Sequence, residues 1–312
     1  MSQNGIGETG EFTRCHPSLN FFYFIWIVCL TMFTTHPLFL LLSFLGACIY
    51  AILLRGKRAA HFLFGAVLPL VILMALFNLF FTHNGATVLF YLNDQRITLE
   101  AGLYGLASGV MFGSVLLWFY SFQVIVTTDK FLYLFGRIVP SLALTISMVM
   151  RYIPLLKQRF AEVAAGQRCM GRNPSMKNPI KKIRQAAKEI SIVIAWSLEA
   201  SIETGDSMEA RGYGLKGRTS FHLYHFTVRD LKLFVLLGCT GILAAAGCLM
   251  GGMRMYYYPV VQYHPLSGMQ VAVAAAYAVF LAVPMLLDAY SQRKWEQDRN
   301  SVYEKDDRVK EC

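Results

Sequence analysis

The fold class predicted for this sequence is an all-α polytopic membrane protein, with about six transmembrane helices plus long cytoplasmic helices, and three observations predict it. Hydrophobic residues make up 55% of the 312-residue chain and charged residues only 15%, too few to cover a water-exposed surface of that size. Six apolar stretches approach the roughly 20 residues that cross a hydrocarbon core of about 30 Å. The net charge of +10 is also placed unevenly: of the 29 Lys and Arg residues only Arg96 and Arg254 fall in the loops on one side of those stretches. That is the asymmetry expected when basic residues are held on the cytoplasmic face.

In chain order, the first 20 residues carry Glu8 and Glu11 against a single Arg14 and lead into a long apolar hairpin. This lacks the pattern of a cleaved signal peptide, so residues from Phe21 onward are expected to remain as spanning structure. The first two spans, 19–35 and 38–54, are separated by His36-Pro37, where proline ends one helix and starts the next. Spans 62–82 and 103–126 follow, then 233–253 and 267–288. The loop over 83–100 has turn chemistry at Asn84-Gly85 and Asn93-Asp94 around an alternating run, which predicts a short extracellular hairpin. The tyrosine-rich loop over 254–265 suits an interfacial aromatic belt.

Two shorter apolar runs are assigned to the cytoplasmic face. Residues 138–150 lie between Arg137 and Arg151 and are too short to span, and 190–198 are shorter still. Counting 138–150 as a span would carry much of the basic block to the outside, so charge and length agree. The organisation expected is a membrane segment over 1–126, a cytoplasmic helical region over 127–232, a second membrane segment over 233–290 and a cytoplasmic tail over 291–312. Both termini are then cytoplasmic.

The seven cysteines are odd in number and form no CxxC, and they read as small apolar residues rather than a disulfide framework. Cys312 ends the chain, where a prenylation box would need it fourth from the end.

The informative block is 129–218. Asn178-Pro179 is a strong helix start, and the helix it opens is expected to run to about Ala210, roughly 48 Å at 1.5 Å per residue. Lys181, Arg184 and Lys188 sit early in it and Glu199, Glu203 and Asp206 late. Bases early and acids late oppose the helix dipole, a pattern that suits outside partners, although solvated faces account for individual charges equally well. Gly212 and Gly214 end the helix and leave Arg211 at its tip, able to grip a carboxylate with two hydrogen bonds. In an arbitrary protein such an arginine would more often serve the last helical carbonyls.

Two other motifs overlap these residues. Gly212, Gly214 and Gly217 spell GxGxxG, and residues 212–219 approach a phosphate-binding loop. Both mechanisms need a strand before the glycines and a helix after them, whereas here a helix precedes and Arg218 replaces the loop lysine. His222 and His225 lie three apart without further ligands nearby, so neither a metal site nor a cofactor is expected.

Met208-Glu209-Ala210-Arg211-Gly212-Tyr213 resembles the second Ala-Arg-Gly motif of the transmembrane T component of energy-coupling factor importers, the family that includes cobalt and biotin transporter permeases. Met150-Arg151-Tyr152-Ile153-Pro154 resembles the stretch before that family's first motif, and Cys15-His16-Pro17 resembles its N-terminal start. The first motif departs from the pattern. By spacing it falls at Cys169-Met170-Gly171, with Met170 where the family has arginine and with Arg168 and Arg172 flanking the vacancy.

The resemblance implies a non-enzymatic coupling subunit in the bacterial cytoplasmic membrane. Its partners would be two ABC ATPase subunits, gripped by the Ala210-Arg211-Gly212 and Gly171 motifs, and a small membrane-embedded S component that carries the substrate, a vitamin or a metal ion. Leu142, Met148, Ile190, Val193 and Ile194 are candidate surfaces for the S component, and packing within the subunit explains each as well. The alternatives are a self-contained transporter or channel, which would show internal repeats or mid-membrane ionisable groups, and a membrane-embedded enzyme, which would need convergent polar residues in the spans. Nucleic acid is not expected as a partner, because topology accounts for the basic residues.

Overall fold

The structure, a computed structural model, describes residues 10–82, 85–92, 95–136, 140–171, 179–215, 224–250, 253, 255–258 and 268–310. The chain divides into two compact units. The first comprises Met1–Phe131 with Tyr224–Cys312, and the second comprises Leu132–Leu223.

The first unit begins with a single turn, α1 (Glu11–Arg14), followed by α2 (Pro17–Phe33) and α3 (Pro37–Arg55). The same local device starts both of these longer helices. In His16-Pro17 and His36-Pro37 the histidine is the N-cap, its Nδ1 accepting from the backbone N–H of Ser18 or Leu38 at 3.3 Å. Proline at the first helical position costs no hydrogen bond there. Burial lowers the pKa of His36, favouring the neutral ring whose Nδ1 can accept.

Next come α4 (Lys57–Phe62), a π-helical turn (Leu63–Val67) and α5 (Leu68–Phe81), which together form one apolar rod. Strands β1 (Val88–Leu92) and β2 (Gln95–Thr98) pair antiparallel, with Val88 opposite Thr98 and Leu92 opposite Gln95. This is the hairpin expected from the turn chemistry of that loop. The long helix α6 (Leu99–Ile125) follows, and then α7 (Thr128–Gly136).

The unit is completed by α10 (Val228–Leu249) and α11 (Gly268–Lys310), which follow the second unit's α8 (Pro140–Cys169) and α9 (Pro179–Ala210) in the chain. A capping box starts α10, in which Thr227 Oγ1 accepts from the Asp230 N–H while Asp230 accepts from the Thr227 N–H. Among the described residues five helices are long and apolar enough to cross a membrane, and α2 is a shorter apolar helix of 17 residues. Six predicted spans thus coincide with six apolar helices, and the fold is that of an all-α polytopic membrane protein. α11 continues without interruption past residue 290 to Lys310, so the expected tail prolongs the last helix.

The core of the first unit lies among α2, α3, α6, α10 and α11, where Tyr23, Tyr50, Trp118, Tyr277 and Phe280 are fully buried. Lipid tails are as apolar as these side chains, so close packing and internal hydrogen bonds provide the cohesion. Trp118 Nε1 donates to Ser43 Oγ at 3.2 Å, and Ser43 pairs with Thr31 at 2.9 Å. α5 is the exception. It packs mainly on α6, and Val71 is its one buried residue among those described.

Candidate coupling site

The second unit is built on the pair α8 and α9. The two helices run antiparallel, which three contacts along their length establish. Tyr152 OH lies 3.0 Å from Thr204 Oγ1, the Arg159 guanidinium sits 4.7 Å from the centre of the Trp196 ring, and Gln185 Nε2 donates to Gln167 Oε1 at 3.3 Å. As α8 advances, α9 recedes. On α9 the inward stripe is Glu189, Val193, Trp196, Ala200 and Thr204, with the three- and four-residue spacing of one helix face.

Each helix ends in a glycine in the left-handed conformation. After Ala210 the chain turns through Arg211 into Gly212 at φ 81°, and the Gly212 N–H donates to Glu209 O at 2.9 Å while the Tyr213 N–H donates to Met208 O at 3.0 Å. These are the two bonds of a Schellman motif, with Arg211 as the C-cap and Gly212 in the left-handed position a glycine adopts without strain. After Cys169 the chain turns through Met170 into Gly171 at φ 76°, and the Gly171 N–H donates to Arg168 O at 3.0 Å. Met170 therefore occupies at the first tip the place that Arg211 occupies at the second. Both side chains are exposed. Among the described residues Arg211 makes no ion pair.

Because the helices are antiparallel, their C-terminal tips lie at opposite ends of the pair. From Gln185, beside Gln167 near the first tip, α9 runs another 26 residues to Arg211. At 1.5 Å per residue the tips stand about 40 Å apart. Arg168 is exposed but precedes Met170 by two residues, about 200° around the helix, so it projects from nearly the opposite side. Arg172 lies outside the described residues.

The candidate apolar surface is partly as expected. Ile190 and Ile194 are exposed at 48% and 52%, Met148 is half-buried, and the Leu142 side chain lies outside those described. Val193 is buried at 8% exposure and so is not part of any free surface. Leu198, the last residue of the apolar run 190–198, is exposed at 63%, and Ile202, which lies beyond that run among the acidic residues of 199–206, is exposed at 68%, so Ile190, Ile194, Leu198 and Ile202 form a stripe of spacing four.

Comparison with known proteins supplies the family. The family model described as "CbiQ: Cobalt transport protein" matches residues 13–222, more than half of the chain. Among curated proteins, the chain is 31% identical over 113 residues to "Energy-coupling factor transporter transmembrane protein EcfT 1" of Listeria monocytogenes serotype 1/2a (strain 08-5578), covering 36% of this chain and 41% of that one. It is 31% identical over 103 residues to the EcfT protein of Lactobacillus helveticus (strain DPC 4571), covering 32% and 37% respectively. With the EcfT protein of Streptococcus equi subsp. equi (strain 4047) it shares 27% identity over 199 residues, covering 58% and 72%. The matched region thus spans about two fifths of the length of the first two relatives and nearly three quarters of the third. A family model matched from Thr13 into the second unit, and relatives that all carry one name, have a single conclusion: the chain belongs to the CbiQ family of cobalt transport proteins, as an EcfT-like transmembrane component.

Proposed function

We propose that this protein is the non-enzymatic transmembrane coupling subunit of an ATP-driven importer of the energy-coupling factor type, serving uptake of a vitamin or a metal ion. Two ABC ATPase subunits dock on the second unit and hydrolyse the ATP, and a membrane-embedded S component carries the substrate. The protein resides in the bacterial cytoplasmic membrane with the second unit and both termini on the cytoplasmic side, as the distribution of Lys and Arg favours.

The observation that carries this reading is the pair of matching glycine-capped tips about 40 Å apart, which suits a subunit that must engage two similar partners at once. Arg211 enters an acidic groove of one ATPase, and a charge-assisted pair of that kind contributes about 1.5–3 kcal/mol. At the other tip Met170 supplies no charge, so one of the flanking arginines, Arg168 or Arg172, serves the second ATPase from a shifted position. The rotation of Arg168 away from the tip favours Arg172. The exposed stripe Ile190, Ile194, Leu198 and Ile202 offers the S component an apolar face.

The test is reconstitution of the complex with its ATPases and S component, with Arg211→Glu, Arg168→Glu and Arg172→Glu introduced singly. Arg211→Glu is expected to abolish ATP-driven uptake while leaving substrate binding by the S component intact. Full uptake by Arg211→Glu, or transport by the chain alone without ATPases, would overturn the reading. If Arg211 matters and neither other arginine does, the contact at the first tip is apolar.

A further inference from the structure

A cleft of about 530 Å³ opens in the first unit where α1, the start of α10 and the part of α11 from Leu287 to Trp295 come together. Its walls divide by chemistry. At one level are the cations Arg14, Arg229 and Lys294, and with them the aromatic rings of Tyr290 and Trp295. At the other are Leu233 and Leu287, which belong to the apolar, membrane-crossing parts of α10 and α11.

Charge in the cleft is only partly answered. Arg229 pairs with Glu11, and the Arg14 guanidinium sits 5.8 Å from the centre of the Trp295 ring. Among the described residues no carboxylate pairs with Arg14 or Lys294. Among the described residues Glu11 is the one acidic residue in the lining, against the three cations Arg14, Arg229 and Lys294. The Cys15 thiol at the floor adds no anion, since burial pushes its pKa up to about 12.

We propose that this cleft is a binding site for an anionic phospholipid of the cytoplasmic leaflet, with the phosphodiester between Arg14 and Lys294 and the acyl chains descending along Leu233 and Leu287. The pairing of cations above with apolar helix surface below suits a molecule that is an anion at one end and a hydrocarbon at the other. A soluble phosphate would use only the upper part. Tyr290 and Trp295 are the residue types that favour the level of lipid headgroups, and a basic side chain near such a headgroup strengthens binding roughly fivefold. The leaflet follows from the orientation proposed above, whereas the site does not depend on the coupling role.

The experiment uses the purified full-length chain in neutral detergent, titrated with phosphatidylglycerol and separately with phosphatidylcholine, with bound lipid counted by native mass spectrometry. The wild type is expected to retain phosphatidylglycerol selectively. The double variant Arg14→Gln/Lys294→Gln, at two exposed positions, is expected to bind it roughly 10- to 30-fold more weakly. The control Lys57→Gln/Arg58→Gln removes the same charge from the exposed α3–α4 corner and is expected to bind as the wild type does. Inorganic phosphate is expected not to displace the lipid. Equal retention of phosphatidylcholine, equal losses in the two double variants, or displacement by phosphate would each overturn the proposal, and none of these results bears on ATPase coupling.

Discussion

The backbone N–H of Phe12 donates to Asp288 Oδ1 at 2.9 Å, fixing the start of the described chain to the last spanning helix. Tyr50 OH donates to the other carboxylate oxygen at 3.0 Å, and Asp288 is fully buried. A Cβ on Gly10 would stand 2.6 Å from Asp288 Oδ1, so any larger residue there must displace the carboxylate. Asp288→Ala would strand two buried donors and is expected to cost roughly 3 kcal/mol or more. Gly10→Ala, which displaces the same carboxylate, is expected to cost about 1–2 kcal/mol. Both should appear as lower thermal midpoints in detergent, and Asp288→Asn, which keeps one acceptor, should fall less.

Lys130 gives a dependence on pH. Its ammonium is buried and donates to the carbonyls of Thr13 and Ile125, and with the Asn20 amide turned so that its oxygen faces Lys130, that oxygen accepts from Lys130 Nζ and the amide nitrogen donates to Phe12 O, at 3.0 Å each. Burial is the main influence on Lys130 and holds its pKa down to about 8, against an ordinary 10.5. Between those values the unfolded chain keeps a proton that the folded protein has released, so stability rises with pH. Below about 8 both states are protonated and the cost of burying the charge is borne in full. The gain across the window is on the order of 3 kcal/mol. Unfolding midpoints from pH 7 to 10 should show this slope in the wild type and lose it in Lys130→Met.

The α5–α6 contact depends on missing side chains. A Cβ on Gly105 would meet Asn78 Cβ at 2.7 Å, and one on Gly109 would meet Val71 O at 2.8 Å. Gly109→Ala is expected to push α5 off α6 and to cost about 1–3 kcal/mol, with Gly105→Ala similar. Gly65, which has nothing within 4 Å of its Cβ position, provides the control: Gly65→Ala should leave the midpoint nearly unchanged.

Within the second unit a glycine inside α9 and the glycine that ends it should respond with opposite signs. Gly212 sits at φ 81°, where an alanine is strained, and Gly212→Ala is expected to destabilise the tip by about 1–2 kcal/mol. Gly205 lies inside the helix with open space around it, so Gly205→Ala is expected to stabilise by about 0.5–1 kcal/mol. Thermal melts of the two single variants check the signs.

What was legible in the sequence was local. α9 runs from Pro179 to Ala210 as read, because a proline at its first position and a glycine past its end are chemistry carried by neighbouring residues. The six apolar helices were legible for the same reason, since length and hydropathy are properties of a segment. Asp288 was visible only as the last residue of a span, because its partners Phe12 and Tyr50 are 276 and 238 positions away. The extension of α11 to Lys310 was hidden because its polar end lacks an apolar face to announce a helix. At the candidate site, Arg211 could be picked out from its motif. The separation of the two tips could not, because it follows from the register of Tyr152 on Thr204 and Gln167 on Gln185.

The substitution at the first tip provides the last prediction. Met170 stands at the C-cap before a left-handed glycine, as Arg211 does, and its side chain is 61% exposed. A longer polar side chain there meets no packing constraint, so Met170→Arg is expected to fold with a midpoint within about 0.5 kcal/mol of the wild type. If an arginine at this place is what an ATPase groove accepts, Met170→Arg should restore uptake in whichever of Arg168→Glu and Arg172→Glu is inactive. It should not restore uptake in Arg211→Glu, whose defect lies about 40 Å away at the other end of the helical pair. Rescue of Arg211→Glu by Met170→Arg would show that the two tips do not serve separate partners. Failure to rescue either flanking variant would mean that the first contact depends on the shifted arginine itself and not on the charge at the cap.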